Sequence, residues 1–289
     1  MTVTTLADSF SLKHLKHRRG YDAVVFSGGG VRGIAQLGCI HYIQKHRPEL
    51  LARTHVYAGS SVGSIMATSL AMGLDAKDVL DMVIIPWKFK KDVHIRNLTS
   101  SFGLDSGKGL EDFIASLVPE DTTFQSIREE NGAILSITGT NLNTTSVEVF
   151  DVFSTPDMPI RTALRISCAV PMLFTAVEYG GCLYSDGGVA ENFPYRLTTE
   201  RYGCKRTLGI TFHREMNPQR HAWTFENFLS AIVESAVNAP YVSYPDDIDV
   251  VELHTIGVSP LNFDITADEK RMLFDSGLNQ IDSYLKKRV

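Results

Sequence analysis

Apolar positions along the chain alternate between two spacings. Short β-branched runs such as "YDAVVFS" (21–27) and "THVYAGS" (54–60) end in small residues and read as buried strands. Between them, "IAQLGCIHYIQKH" (34–46) carries apolar residues every three or four positions, the period of a helix. A second helix is predicted to follow the second strand and run to about Gly73. The alternation continues with predicted strands at 132–140, 145–151, 181–185, 205–212 and 249–255. Further helices are predicted at 107–118, 159–168, 223–238 and 266–287, the last opening with Thr266 and Glu269 at capping-box spacing.

Strands interleaved with helices predict an α/β protein: a three-layer α/β/α sandwich with a mainly parallel central sheet. No internal repeat, low-complexity segment or long linker breaks the pattern. Residues 1–20, with the basic run "KHLKHRR" (13–19), read as a lead-in, and 21–289 as a single domain.

Composition narrows the function classes. Hydrophobic content of 44% and charged content of 21% over 289 residues are those of an ordinary folded protein. A net charge of −5 gives no reason to expect a nucleic-acid partner. Cys39, Cys168, Cys182 and Cys204 are scattered without C-x-x-C spacing, which suits reduced thiols in a cytoplasmic setting. No mixed His/Cys spacing suggests a metal. The first residues lack the apolar core of a signal peptide, and no run reaches membrane-spanning length. A cytoplasmic protein is expected, although export without a cleaved signal is compatible with the same sequence.

Candidate chemistry sits in three loops. In "FSGGGVRG" (26–33), Gly28, Gly30 and Gly33 satisfy G-x-G-x-x-G between a strand and a helix. A dinucleotide site also needs a carboxylate at the end of the next strand, and that strand runs into Gly59, Ser60 and Ser61. A Walker A loop fails as well, because Gly33 is followed by Ile34. What remains is a bend of small residues presenting backbone N–H groups at a helix N-terminus, a place for negative charge.

In "GSSVG" only Ser61 fits the centre of G-x-S-x-G, with Gly59 and Gly63 flanking it. That spacing makes a nucleophile elbow, whose strained serine needs small neighbours where strand and helix approach. Ser60 and Ser64 read as turn or capping residues. In "LYSDGGVAENFP" (183–194), Asp186 ends a strand before Gly187 and Gly188, either a plain Asp-Gly turn or a base brought to the same sheet edge as the elbow. His213, His221 and His254 come after Asp186 in the chain, so a Ser–Asp–His triad stays open as an alternative. Against it, Ser61 comes after only the second strand, earlier than the elbow of an α/β-hydrolase.

"GGGVRG", "GSSVG" and "DGG", in that order, resemble the signature of the patatin-like phospholipase family. The connecting stretches "GLDSGKGLEDFI" (103–114) and "SCAVPMLFTAVEYGGCLYSDGGVAENFP" (167–194) are similar to the family's too. The likeness covers roughly residues 20–212; the C-terminal part matches loosely. It implies a patatin-like fold and a lipid acyl hydrolase without cofactor or metal, acting on phospholipids or other lipid esters. By the same resemblance Ser61 is the nucleophile and Asp186 its base, with no histidine. Gly28, Gly29 and Gly30 would form the oxyanion hole with Arg32 beside them, and Gly33, Gly59, Gly63, Gly187 and Gly188 would support the motifs. A catalytically idle lipid-binding member is the other alternative.

Two further segments carry expectations. "MVIIPWKFKKDVHI" (82–95) mixes Trp87 and Phe89 with Lys88, Lys90 and Lys91, so residues 86–91 are expected to touch a membrane surface peripherally; an ordinary surface loop is the competing reading. In 221–237, Phe225, Phe228, Leu229, Ile232, Val233 and Val237 form a helical stripe expected to pack into the core.

Overall fold

The structure is a computed structural model that describes residues 20–84, 95–213, 249–255 and 257–287, with Phe228, Ala231, Ile232 and Ser235 as separate positions. Residues 86–91, and most of the 221–237 stripe, lie outside the described residues. Phe228 and Ile232 are 50% and 44% exposed. At these two positions the stripe is not core.

Ten strands are described: β1 (Ala23–Phe26), β2 (Val56–Ser60), β3 (Gly103–Asp105), β4 (Ile134–Asn141), β5 (Ser146–Phe150), β6 (Met172–Phe174), β7 (Val177–Tyr179), β8 (Cys182–Asp186), β9 (Thr207–Phe212) and β10 (Asp249–Leu253). The helices are α1 (Gly33–His46), α2 (Val62–Ala71), α3 (Ala76–Ile84), α4 (Ile95–Ser100), α5 (Lys108–Leu117), α6 (Phe124–Asn131), α7 (Ile160–Ser167), α8 (Gly188–Glu191), α9 (Tyr195–Tyr202) and α10 (Ala267–Lys287). Each strand and helix expected within the described stretches is present. The additional ones are short, or polar like α6 ("FQSIREEN"), which buries only Phe124 and Ile127.

The central sheet runs β10-β9-β1-β2-β4, all parallel, and is finished by antiparallel β5, β8 and β7. All residues of β1 and β4 are buried, as expected of strands covered on both faces. Alternate side chains go to opposite layers. Val24, Phe26, Leu135, Ile137, Leu208 and Ile210 join the main core with α1, α2, α7 and α10. Ala23, Val25, Val56 and Ala58 pack on the other face against Tyr195 and Tyr202 of α9. Helices on both sides of a mainly parallel sheet make the three-layer sandwich that the sequence predicts.

The register around β4 positions the site. Its residues 137 and 138 pair with both β2 and β5, and 139–141 with both β5 and β8. A strand has only two edges, so β2 and β8 share one of them. β2 runs up that edge until Ser60 faces Thr138, and β8 runs down it until Asp186 faces Gly139. The two strands therefore end head to head, and the turn leaving Ser60 meets the loop leaving Asp186.

Candidate active site

The residue after β2 turns sharply. Ser61 has φ 51° and ψ −130°, a region that side-chain-bearing residues avoid and that costs about 1–3 kcal/mol. The turn is possible because two glycines let strand and helix touch. A side chain at Gly59 would collide with the backbone of Gly63, and one at Gly63 would meet the carbonyls of Phe26 and Ser27. The bent backbone is pinned on both sides: the Ser61 N–H donates to Ser167 Oγ (2.9 Å), and its carbonyl accepts from Ser64 Oγ (2.6 Å) and the Ser64 N–H (2.9 Å). Ser64 is thus a turn residue and not a cap: its hydroxyl donates to the bend and accepts no N–H from the helix start. The turn also aims the Ser61 hydroxyl at Asp186, with Oγ donating to Oδ2 at 2.7 Å.

Asp186 is equally constrained. Its N–H donates to Ala169 O (2.9 Å), its carbonyl accepts from Thr140 Oγ1 (2.7 Å), and its Oδ1 accepts the Gly188 N–H (2.7 Å). A side chain at Gly187 would strike the Thr138 carbonyl and the Ser60 hydroxyl, so the loop passes close over the ends of β4 and β2. Asp186 is 5% exposed. Burial raises its carboxyl to about 7, against the opposing pull of the Ser61 and Gly188 hydrogen bonds. Desolvation penalises the anion more than two donors reward it. Cys168, beside the pair, is also buried, and desolvation pushes its thiol far above the usual range.

The glycine-rich loop lies over the serine. A side chain at Gly28 would press on Ser61 Cβ and Asn192, and one at Gly33 on Val62. The Gly28 N–H donates to Asn192 O (3.0 Å) and the Val31 N–H to Pro260 O (3.0 Å). That leaves the N–H groups of Gly29 and Gly30 without a partner among the described residues. The expected trio of donors is therefore reduced to two, because Asn192 takes the first. Arg32 turns to the loop itself: its Nε donates to Gly29 O (3.3 Å) and its guanidinium lies over the Phe212 ring at 4.8 Å.

Ser61 opens into an apolar cavity whose empty space, counted out into the solvent at its mouth, is about 880 Å³. α1, α2, α5 and the segment 263–270 wall it, with Ile34, Met66, Phe113, Phe174 and Phe263 prominent. Apart from Ser61, Cys168, Lys270 and the thioether of Met66, its lining side chains are hydrocarbon or aromatic.

His213 and His254 stand elsewhere. Their rings lie 4.3 Å apart, and His213 Nδ1 pairs with Glu252 Oε2 at 3.1 Å. Neither touches Ser61 or Asp186, and the direct 2.7 Å bond between those two leaves no room for an imidazole. His221 lies outside the described residues. No group of three potential metal ligands occurs among the described residues.

Sequence reasoning did not single out Ser167, Asn192, Thr140 or Pro260, each of which holds part of this geometry. Ser167 and Asn192 fall inside the family-like stretch 167–194, but nothing in a linear pattern says which backbone group they meet. Pro260 lies in the loosely matching C-terminal part and left no signal.

Comparison with known proteins agrees with this architecture. The chain matches the family described as patatin-like phospholipase over residues 24–199, more than half its length. It is 25% identical over 225 residues to the probable lipid hydrolase 463L of Invertebrate iridescent virus 6, covering 74% of this chain and 71% of that one. It is also 25% identical over 291 residues to the uncharacterized protein YqhO of Bacillus subtilis, covering 91% and 97%. VipD from Legionella pneumophila shares the fold at a TM-score of 0.60 and 18% identity, over 93% of this chain and 67% of its own. With the serine elbow, the glycine loop and the Asp-Gly-Gly turn gathered at one sheet edge, the chain belongs to the patatin-like phospholipase family.

Proposed function

We propose that this protein is a lipid acyl hydrolase in which Ser61 is the nucleophile and Asp186 the general base. The observation that carries the reading is the 2.7 Å hydrogen bond from Ser61 Oγ to a buried carboxylate whose pKa is raised to about 7. An ordinary aspartate is too weak a base at neutral pH, whereas one near the working pH accepts a proton efficiently.

In the first step Ser61 Oγ attacks the ester carbonyl carbon while its proton passes to Asp186 Oδ2. The carbonyl π electrons move onto oxygen, and the Gly29 and Gly30 N–H groups receive that oxyanion. Donors of this kind each lower the barrier by about 3–4 kcal/mol. As the intermediate collapses, the C–O bond to the alcohol breaks and protonated Asp186 returns the proton to the departing oxygen. A water then repeats the cycle on acyl-Ser61: Asp186 takes its proton, the hydroxide adds to the acyl carbon, and the acid leaves as Ser61 regains the proton. The apolar cavity beside Ser61 suits an acyl chain, which favours lipid esters, phospholipids among them, over small polar ones. No step calls for a metal or cofactor.

The test is fluorophosphonate labelling read by tandem mass spectrometry. An adduct on Ser61, kept in His213→Ala and lost in Asp186→Asn, is expected. Folded protein that binds lipid vesicles but neither labels nor releases fatty acid would instead mark an idle lipid-binding member of the family.

A further inference from the structure

The cavity beside Ser61 is lined by one charged side chain among the described residues, Lys270, in the first turn of α10. Its Nζ donates to the carbonyl of Val83 (2.8 Å), near the C-terminal end of α3. An ammonium carries three donors, and among the described residues this carbonyl is its single partner. The neighbouring charges are engaged elsewhere: Glu269 is held by Thr266, and Asp268 pairs with Arg271 (2.9 Å). No carboxylate faces Lys270 among the described residues. The side chain is half-buried, and burial alone shifts it, pulling its pKa below the ordinary lysine value.

A cation half withdrawn from water into an apolar wall with no counter-charge is costly unless something pairs with it. Satisfying the end of α3 explains one donor but not the charge, because water or a neutral amide caps a helix end as well. Cavity and cation together describe a ligand with a hydrocarbon body and an anionic oxygen group.

We infer that Lys270 recognises an anionic oxygen group on the lipid that occupies the cavity, making it a specificity-determining residue for charged over neutral lipids. The inference rests on the reading of the cavity as the acyl site. The oxygen belongs either to the phosphate of a substrate phospholipid or to the carboxylate of the released acid.

The experiment is run as binding in Ser61→Ala protein, so that it does not depend on turnover. Affinities are measured for vesicles containing phosphatidylglycerol or diacylglycerol of the same chains, and separately for oleate and oleyl alcohol. Lys270→Gln keeps a donor for Val83 and removes the charge; Lys270→Arg keeps the charge. The charged-to-neutral ratio should fall about tenfold in the glutamine variant, the size of one well-placed charge contact, and hold in the arginine variant. A fall confined to the phosphatidylglycerol pair assigns the phosphate, and one confined to the oleate pair assigns the carboxylate. Unchanged ratios in both pairs, or charged and neutral ligands weakening in parallel, would overturn the inference and leave Lys270 as a helix cap. The labelling of Ser61 in otherwise unaltered protein is a separate readout, so loss of the hydrolase reading is told apart from loss of this one.

Discussion

The sheet edge that carries the proposed chemistry and the C-terminal segment that walls the cavity are built by different rules. Ser61, Asp186 and the Gly28–Gly30 loop each sit in a motif of a few contiguous residues, and backbone contacts hold them: Ser167 on the Ser61 N–H, Gly188 on the Asp186 carboxylate, Asn192 on the Gly28 N–H. Residues 257–274 lie beyond the matched family region, yet Pro260 anchors the Val31 N–H, and Phe263, Ile265 and Lys270 close the cavity. The first region has almost no freedom to vary, since a methyl group at Gly59 or Gly63 would collide with backbone. Apart from the Pro260 carbonyl, the second holds its place through side-chain packing, which tolerates exchange of one apolar group for another. On the proposed function, reaction type is encoded in one region and ligand choice in the other.

Removing either member of the proposed dyad should give the largest effect. Ser61→Ala and Asp186→Asn are each expected to lower kcat by about 10⁴-fold or more, the scale seen when a nucleophile or its base is deleted. The check is fatty-acid release from mixed micelles, with circular dichroism to show that the fold persists. Retention of activity in Asp186→Asn would break the assignment of the base and return attention to the histidines.

In the wild type, the buried carboxyl near 7 must be ionised to accept the Ser61 proton. Below that value kcat/KM should fall about tenfold per pH unit and above it reach a plateau. The same shift has a cost in stability, and its sign is fixed. Asp186 is raised in the folded state from 3.8 to about 7, so the folded form is favoured while the group stays protonated. The stabilisation is complete below about pH 4 and is lost as pH rises through about 7, up to about 4 kcal/mol in all. An asparagine in its place never ionises, so Asp186→Asn should gain stability relative to wild type across that window and gain nothing further above it. Urea unfolding at a series of pH values checks this; a difference independent of pH would mean that the carboxyl ionises as readily in the fold as in the open chain.

Phe263 offers the contrasting case. It packs edge-on against Phe174 with ring centres 6.0 Å apart and lines the cavity, although it lies far along the chain from any motif. Phe263→Ala should lower kcat/KM for long-chain esters relative to short ones by about tenfold, a loss of binding area. Labelling of Ser61 by a small fluorophosphonate should stay within about twofold. An equal loss on all chain lengths would show that the C-terminal segment supports the chemistry as well as the choice of ligand.

The same contrast explains how much of the molecule was legible in the sequence. Hydrophobic spacing located the long strands and helices, because each buries a regular stripe. The elbow and the Asp-Gly-Gly turn were legible because steric demand restricts a few adjacent residues. α6 was not, since its two buried residues make too short a pattern, and its Thr123–Ser126 cap replaces the glutamate of a typical capping box. Nor was the partner of the Gly28 N–H. Which carbonyl faces a given N–H across 164 residues of chain, from Gly28 to Asn192, is decided by the closing of the sheet. The Val83 carbonyl that Lys270 meets from 187 residues away is of the same kind.

The smallest effect probes the elbow itself. Ser61 holds a φ of 51°, and with ψ at −130° this is backbone that glycine adopts freely and other residues do not. The surrounding contacts force the conformation: Ser167 and Ser64 fix the peptide groups on either side. Ser61→Ala keeps the strain and loses the bond to Asp186, whereas Ser61→Gly loses the same bond and relieves the strain. Both are expected to be inactive, so the comparison is purely one of stability. The glycine variant should be the more stable by about 1 kcal/mol, the relief of roughly 1–3 kcal/mol of strain being offset by the greater freedom of glycine in the unfolded chain. Chemical denaturation of the two variants side by side reads this difference. If alanine proves equal or better, the turn is relaxed, and the geometry at Ser61 is set by the fold without stored strain.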